Sequence, residues 1–469
     1  MVFVSVEFLA LFLPVFFIAY VLTPRPWRNL TLLAASWIFY AWWKPVFLTL
    51  LVAVTILAWA FGLFIAHSMA RGDLKKANRQ LTWSIILNVG CLAWFKYANL
   101  LVGTLNSGLE MAHTQPVIWD DIILPIGLSF FVMHSMSYLI DVRRGVVQAQ
   151  PSFVAFGAYI AMFGQLIAGP IVRYSWVDKA ITERSLTVDG MVLGGRRFMI
   201  GFAMKVLIAD SLSPLVEVAF KLPHPSLADA WLGCLAYTLQ LYFDFAGYSA
   251  MAIGIGLMLG FNIHENFNNP YLSVSIQDFW RRWHISLSTW LRDYLYIPLG
   301  GNRQGVVRTY FNLIATMAIG GLWHGASWTF MVWGMIHGLS LAVDRWWTRS
   351  GRSLPGFVSY PLTMLVVMLA WTLFRANDWG TAIAMLSGQI GLHGVPLGDQ
   401  LRVALRPTES FFLIAGLVCV WYPALAERLP QRLQVPPGWW NVLWPVLLFL
   451  YSLAVLKGRE TVPFLYFQF

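Results

Sequence analysis

Two histidines stand in polar strings within an otherwise apolar chain. His284 lies in Gln277-Asp278-Phe279-Trp280-Arg281-Arg282-Trp283-His284-Ile285-Ser286-Leu287-Ser288, which is followed by Trp290-Leu291-Arg292-Asp293-Tyr294-Leu295-Tyr296. His324 lies in Gly320-Gly321-Leu322-Trp323-His324-Gly325. Ionisable side chains within hydrophobic spans are costly unless solvated or paired, so their presence points to function. Imidazole is the side chain that accepts and releases a proton near neutral pH, and as a neutral base it is cheap to place in a low dielectric. Acyl transfer from a thioester to a hydroxyl needs such a base, because the hydroxyl proton must leave as oxygen bonds to the acyl carbon. Arg281 and Arg282, just before His284, suit binding of a phosphate or carboxylate. Read otherwise, they are snorkelling surface charges, and His324 is a core histidine that hydrogen-bonds a backbone carbonyl.

Composition decides what kind of chain must hold these groups. Hydrophobic residues make up 58% of the 469 positions and charged residues only 12%, about half the charged share of a soluble protein. An all-α polytopic membrane protein follows. The net charge of +10 would suggest nucleic acid in a soluble chain. Here the basic residues collect in short gaps between apolar runs, where they set orientation, and no nucleic-acid partner is implied. Cys91, Cys234 and Cys419 fall in apolar runs without metal-ligand spacing and read as buried structural cysteines, so neither a metal site nor a cysteine relay is expected. Residues 2–22 lack a basic leader and a small-residue cleavage site, and Glu7 interrupts their start, so they are expected to be a retained first span.

Apolar runs at 2–22, 30–43, 46–66, 82–101 and 122–140 are long enough, or nearly so, to cross the hydrocarbon layer. Arg25 and Arg28 lie in the first gap, and Arg71, Lys75, Lys76 and Arg79 follow the third run. The positive-inside rule puts both gaps in the cytoplasm and the N-terminus in the periplasm. Residues 102–121 then lie outside, and they carry Glu110, Asp120 and Asp121 without Lys or Arg. Arg143 and Arg144 return the chain to the cytoplasm. The run 153–172 holds Gly164, Gln165, Gly169 and Pro170 and reads as re-entrant, which is tolerated where backbone is buried in protein or lines a wet cavity. Residues 196–208, with Lys205, read as an amphipathic interfacial helix. A long run at 231–261 is interrupted by Asp244. Further spans are expected at 309–322, 328–343, 356–374, 411–425 and 439–456, for about ten or eleven in all. From Thr309 to Gly320 a helix reaches only about 20 Å, so a break at Gly320-Gly321 would leave His324 at the tip of a hairpin inside the membrane. Neither an internal repeat nor a separate soluble domain is visible. One membrane domain, 1–469, is expected, with its catalytic core at about 120–345.

These strings resemble a known family. Asp278 to Ser288, Asp293-Tyr294-Leu295-Tyr296-Ile297-Pro298-Leu299-Gly300-Gly301-Asn302 and Gly321-Leu322-Trp323-His324-Gly325 closely resemble the membrane-bound O-acyltransferase (MBOAT) family. The likeness extends to Tyr40-Ala41-Trp42-Trp43, Leu124-Pro125-Ile126-Gly127-Leu128-Ser129-Phe130, Tyr242-Phe243-Asp244-Phe245-Ala246-Gly247, Phe374-Arg375-Ala376 and the terminal Pro463-Phe464-Leu465-Tyr466-Phe467-Gln468-Phe469. Within the family the chain is similar to the bacterial branch that O-acetylates exopolysaccharides such as alginate or cellulose.

The resemblance implies a ring of helices around a central funnel and a catalytic pair, His324 and His284. It implies acetyl-CoA as the donor, with no bound cofactor, and transfer of acetyl across the bacterial inner membrane. A periplasmic hydrolase-like acetyltransferase, an exopolysaccharide synthesis and secretion complex, and membrane lipid are the implied partners. Arg281, Arg282, Asp293, Tyr294 and Asp244 are the candidate donor- or substrate-binding residues. His134 and Arg143 stand where relatives usually carry other residues, which leaves the polymer open. Two rival classes are a polytopic transporter or flippase, whose usual sign of a repeated half is missing, and a membrane scaffold for polysaccharide secretion.

Overall fold

A computed structural model of the chain describes residues 1–427, 438–459 and 462–465. The last four residues of the terminal string, Tyr466 to Phe469, fall outside these. Among the described residues the regular elements are all helical. The chain divides into two compact units, one of residues 1–194 and 255–264 and one of residues 195–254 and 265–469.

The first unit opens with α1 (Glu7–Leu22), α2 (Arg28–Ala41), α3 (Val46–Ala70), α4 (Leu74–Met111) and α5 (Leu128–Arg144). Of the basic residues after the third run, Lys75, Lys76 and Arg79 lie on the first turns of α4, whose start is fixed by the Asp73 side chain accepting from Lys76 N at 2.9 Å. At 38 residues, α4 is about 57 Å long, well beyond the hydrocarbon thickness. His134 is fully buried on α5 beside the ring of Tyr159, and Arg143 donates to Asn78 Oδ1 at 2.7 Å. The run expected to be irregular is broken into α6 (Phe153–Ala161) and α7 (Phe163–Leu166), followed by α8 (Tyr174–Glu183).

Two 32-residue helices follow, α9 (Val188–Ala219) and α10 (Leu227–Met258). Residues 196–208 are therefore part of a continuous span rather than an interfacial helix, and Lys205 is only 2% exposed. What brings it inside is a backbone crossing within the second unit. A Cβ on Gly201 would lie 2.5 Å from the Gly247 carbonyl oxygen, and one on Gly247 would lie 2.6 Å from that of Gly201. Only glycine allows this approach. One turn along each helix, Lys205 meets Asp244 at 2.8 Å and also pairs with Asp210. The extended segment at the C-terminal end closes over this triad: Val462 O accepts from Lys205 Nζ at 3.2 Å, and Leu465 N donates to Asp244 Oδ2 at 2.9 Å.

The second unit continues through two short helices, α11 (Ile276–Arg282) and α12 (Ile285–Leu291), and then a π-helical turn, Arg292–Tyr296. Next come α13 (Val306–His324), α14 (Trp328–Arg349), α15 (Gly356–Arg375), α16 (Trp379–Gln389), α17 (Asp399–Ala404), α18 (Pro407–Ala426) and α19 (Trp440–Lys457). The hairpin expected around His324 is present, but its break lies elsewhere. Helix α13 passes straight through Gly320-Gly321 and stops at His324, and the turn is Gly325 to Ser327, where the Ser327 hydroxyl caps α14 by accepting from Thr329 N at 3.3 Å. Its 19 residues reach about 28 Å, not the shorter span expected. The glycines serve packing: a Cβ on Gly321 would sit 2.2 Å from Phe330 O, and one on Gly334 would sit 2.2 Å from Met317 O.

Seven helices among the described residues are long and apolar enough to cross a membrane: α3, α4, α9, α10, α15, α18 and α19. Burial separates them. Within its apolar window α10 is 83% buried in protein, whereas α4 is 11% buried and presents its apolar surface outward. The cysteines follow the same division, since Cys234 on α10 is buried, Cys91 on α4 is half-buried and Cys419 on α18 is exposed. The last two depart from the buried setting expected of all three.

Candidate active site

His284 occupies the bend between α11 and α12, with φ 43° and ψ 55°. A non-glycine residue in this left-handed region is crowded by its own side chain and must be held there by its surroundings. The surroundings are supplied by Asn266. Its backbone carbonyl accepts from Ile285 N at 2.9 Å, and its Oδ1 accepts from Ser286 N at 3.2 Å and from Ser286 Oγ at 2.8 Å. Asn266 Nδ2 donates to Ser249 Oγ at 3.1 Å, which fixes the orientation of the amide. His284 Nδ1 lies 3.2 Å from the same Oδ1, so Nδ1 carries the proton and donates it, leaving the lone pair on Nε2.

His324 enters from the other side as the last residue of α13. Its ring meets Trp333 of α14 edge-on at 5.2 Å, Phe374 of α15 at 5.4 Å and Trp323 at 5.0 Å. The two imidazole centroids are 6.3 Å apart, with His324 4% exposed and His284 fully buried. Two strings forty residues apart in sequence thus converge on one enclosed spot walled by aromatic rings, with Phe245 edge-on to His284 at 4.7 Å. Such a setting keeps water away and strengthens the electrostatic interactions made there.

The other candidates take distinct places. Arg281 lines a cavity of about 550 Å³ bounded by α11, α12, α13 and α14. Arg282 pairs with Asp278 at 2.9 Å, and Asp293 receives both Nε and a terminal nitrogen of Arg292 at 2.6 and 3.0 Å. Tyr294 is buried against Trp290 at 5.2 Å. Asp244 holds Lys205 and the C-terminal segment, and its neighbour Phe245 supports His284. No group of three His, Cys, Asp or Glu among the described residues is placed to hold a metal ion.

Asn266 was missed from sequence, although the cluster Glu265-Asn266-Phe267-Asn268-Asn269 after a long apolar run was a visible polar signal. His337 was missed too. It is fully buried on α14, and its Nδ1 accepts from Trp280 Nε1 at 3.3 Å, which places its own proton on Nε2.

Comparison with known proteins shows the family. The profile of the membrane-bound O-acyltransferase family matches residues 38–374. The chain is 42% identical to the probable alginate O-acetylase AlgI of Azotobacter vinelandii, over the whole of both chains. It is 36% identical to the peptidoglycan O-acetyltransferase of Helicobacter pylori over 83% of this chain and 80% of that one. To the teichoic acid D-alanyltransferase of Bacillus subtilis it is 28% identical, over 58% and 76%. Both histidines and the helices that bring them together fall inside the matched region, and this multi-pass, all-α membrane protein belongs to the membrane-bound O-acyltransferase family.

Proposed function

We propose that this O-acyltransferase takes acetyl from cytoplasmic acetyl-CoA and passes it across the inner membrane for O-acetylation of an exopolysaccharide of the alginate kind. The observation that carries the reading is the convergence of His284 and His324, 6.3 Å apart in an aromatic, nearly dry enclosure. In this reading the acceptor hydroxyl oxygen bonds to the thioester carbonyl carbon while His324 takes the hydroxyl proton. The carbon–sulfur bond then breaks, and the proton passes to the leaving thiolate. His284, locked by Asn266 with its lone pair on Nε2, positions the acceptor hydroxyl. The similarity to alginate O-acetylases supports the polymer class. A periplasmic hydrolase-like acetyltransferase and the polymer's secretion complex would complete the path, and the charge of the early gaps supports a periplasmic N-terminus.

Purified protein in detergent, given radiolabelled acetyl-CoA and an acceptor preparation, tests this reading. Donor consumption with label on the acceptor, lost in His324→Ala, is expected. Solute uptake into proteoliposomes without thioester consumption would overturn it in favour of a transporter.

A further inference from the structure

His337 is fully buried on α14, about one helical turn beyond Trp333. Four aromatic rings meet its imidazole: Trp333 at 4.9 Å, Trp280 edge-on at 5.1 Å, and Phe279 and Trp371 both at 6.1 Å, with Phe279 within 9° of parallel. Through this wall one polar contact runs, from Trp280 Nε1 to His337 Nδ1 at 3.3 Å. Among aromatic side chains imidazole alone has a lone pair in the plane of its ring, so it can stack on Phe279 and still accept from an indole. The bond exists only for the neutral ring with its proton on Nε2, because a doubly protonated imidazole has no lone pair to offer.

Each partner of His337 leads to one member of the catalytic pair. Trp280 is 8% exposed on α11, and four residues later the chain reaches His284 at its left-handed bend. Trp333 meets the His324 ring edge-on at 5.2 Å and stacks on Trp371 at 5.7 Å. Helix α11 has only seven residues, too few to be stable alone, so its place depends on what it is tied to. Its first turn is tied to α14 by Gln277 N donating to Asp344 Oδ2 at 2.9 Å, and the bond to His337 makes a second tie nearer the bend. On the other side, α13 is pressed against α14 beside His337: a Cβ on Gly338 would lie 2.7 Å from Ile314 Cα. The element carrying His284 and the one ending in His324 are thus both referred to α14 at this histidine.

We propose that His337 is a positioning residue for acyl transfer, which by accepting from Trp280 and packing on Trp333 keeps the bend of His284 in register with the wall of His324. It rests on the reading of the chain as an acetyltransferase that works through those two histidines. His337 moves no proton in the reaction. Its contribution is to hold two reacting side chains from different segments at one separation, which affects the rate of the chemical step and not the affinity for the donor.

Steady-state kinetics on the purified full-length protein, with hydrogen exchange of residues 280–291 read by mass spectrometry, test this. His337→Leu keeps an apolar side chain of similar size and removes the acceptor; it is expected to lower kcat by about tenfold or more with the donor's KM within about twofold, and to speed exchange in 280–291. His337→Asn offers Oδ1 near the place of Nδ1, and should restore kcat to within about threefold of wild type with the shape of the pH–rate profile unchanged. Trp280→Phe keeps a ring and removes the donor. It should lower kcat as His337→Leu does, and the double variant should lose no more than the worse single one, since both remove the same bond. Should His337→Leu not insert stably, Trp280→Phe and His337→Asn decide. Normal kcat in His337→Leu or Trp280→Phe, additive losses in the double variant, or an altered pH profile or unrescued kcat in His337→Asn overturns the proposal. A wild-type protein that transfers no acetyl would sink the functional reading instead, and exchange of 280–291 would still decide whether His337 holds the bend: unchanged exchange in His337→Leu overturns that as well.

Discussion

His284 and His324 face each other across 6.3 Å, one at a left-handed bend held by an asparagine and the other at the last residue of a helix. Neither imidazole could be brought there by its own segment. Their burial keeps a group held beside them from bulk water.

His324→Ala is expected to lower acetyl transfer by about 10²–10⁴, the usual cost of removing a general base, while expression and thermal unfolding stay near wild type. A stably inserted His324→Ala protein that acetylates normally would remove His324 from the mechanism.

Asn266 holds His284 through backbone and side chain together. His284→Ala is therefore expected to reduce kcat severely with little change in the donor's KM, and Asn266→Ala to reduce kcat by about tenfold or more through loss of a positioned hydrogen bond. Steady-state kinetics on both variants check this. An unchanged kcat with a raised KM would reassign His284 to donor binding.

Lys205 pairs with two buried carboxylates, Asp210 and Asp244. Lys205→Met leaves them unpaired and should cost about 3–5 kcal/mol, seen as a large fall in Tm in detergent. The triple variant Lys205→Met/Asp210→Asn/Asp244→Asn should recover much of it, because no uncompensated charge remains. A triple variant as unstable as the single one would contradict this account.

Gly321→Ala forces a methyl group to within 2.2 Å of the Phe330 carbonyl. Prying the hairpin apart should cost about 1–3 kcal/mol and displace His324, so Tm and activity fall together. Ile319→Ala, at an outward position 46% exposed, should leave both nearly unchanged.

Orientation can be read by cysteine labelling. The exposed positions Gln115, in the acidic gap at 102–121, and Lys75, on the first turn of α4, serve as probes. In a background without the three native cysteines, a membrane-impermeant maleimide should label Gln115→Cys in permeabilised-envelope cells and spare Lys75→Cys. The reversed pattern would invert the direction of acetyl transfer.

By itself the sequence determined the class of the protein and its family. Apolar runs exclude a soluble fold because nothing else solvates them, and long matched strings around His284 and His324 named the family. Short-range reasoning erred where packing decides. The two glycines before His324 read as a break, yet α13 runs through them, because missing side chains let α14 approach the helix. Lys205 read as interfacial, yet Asp210 on its own helix and Asp244, thirty-nine residues on, make it a buried counter-ion. Only the tertiary structure placed the two imidazoles together, set Asn266 beneath one of them and joined Trp280 to His337. Hydropathy reports on each residue against its solvent. A site is made of partners from distant segments, and their meeting is fixed by how helices pack.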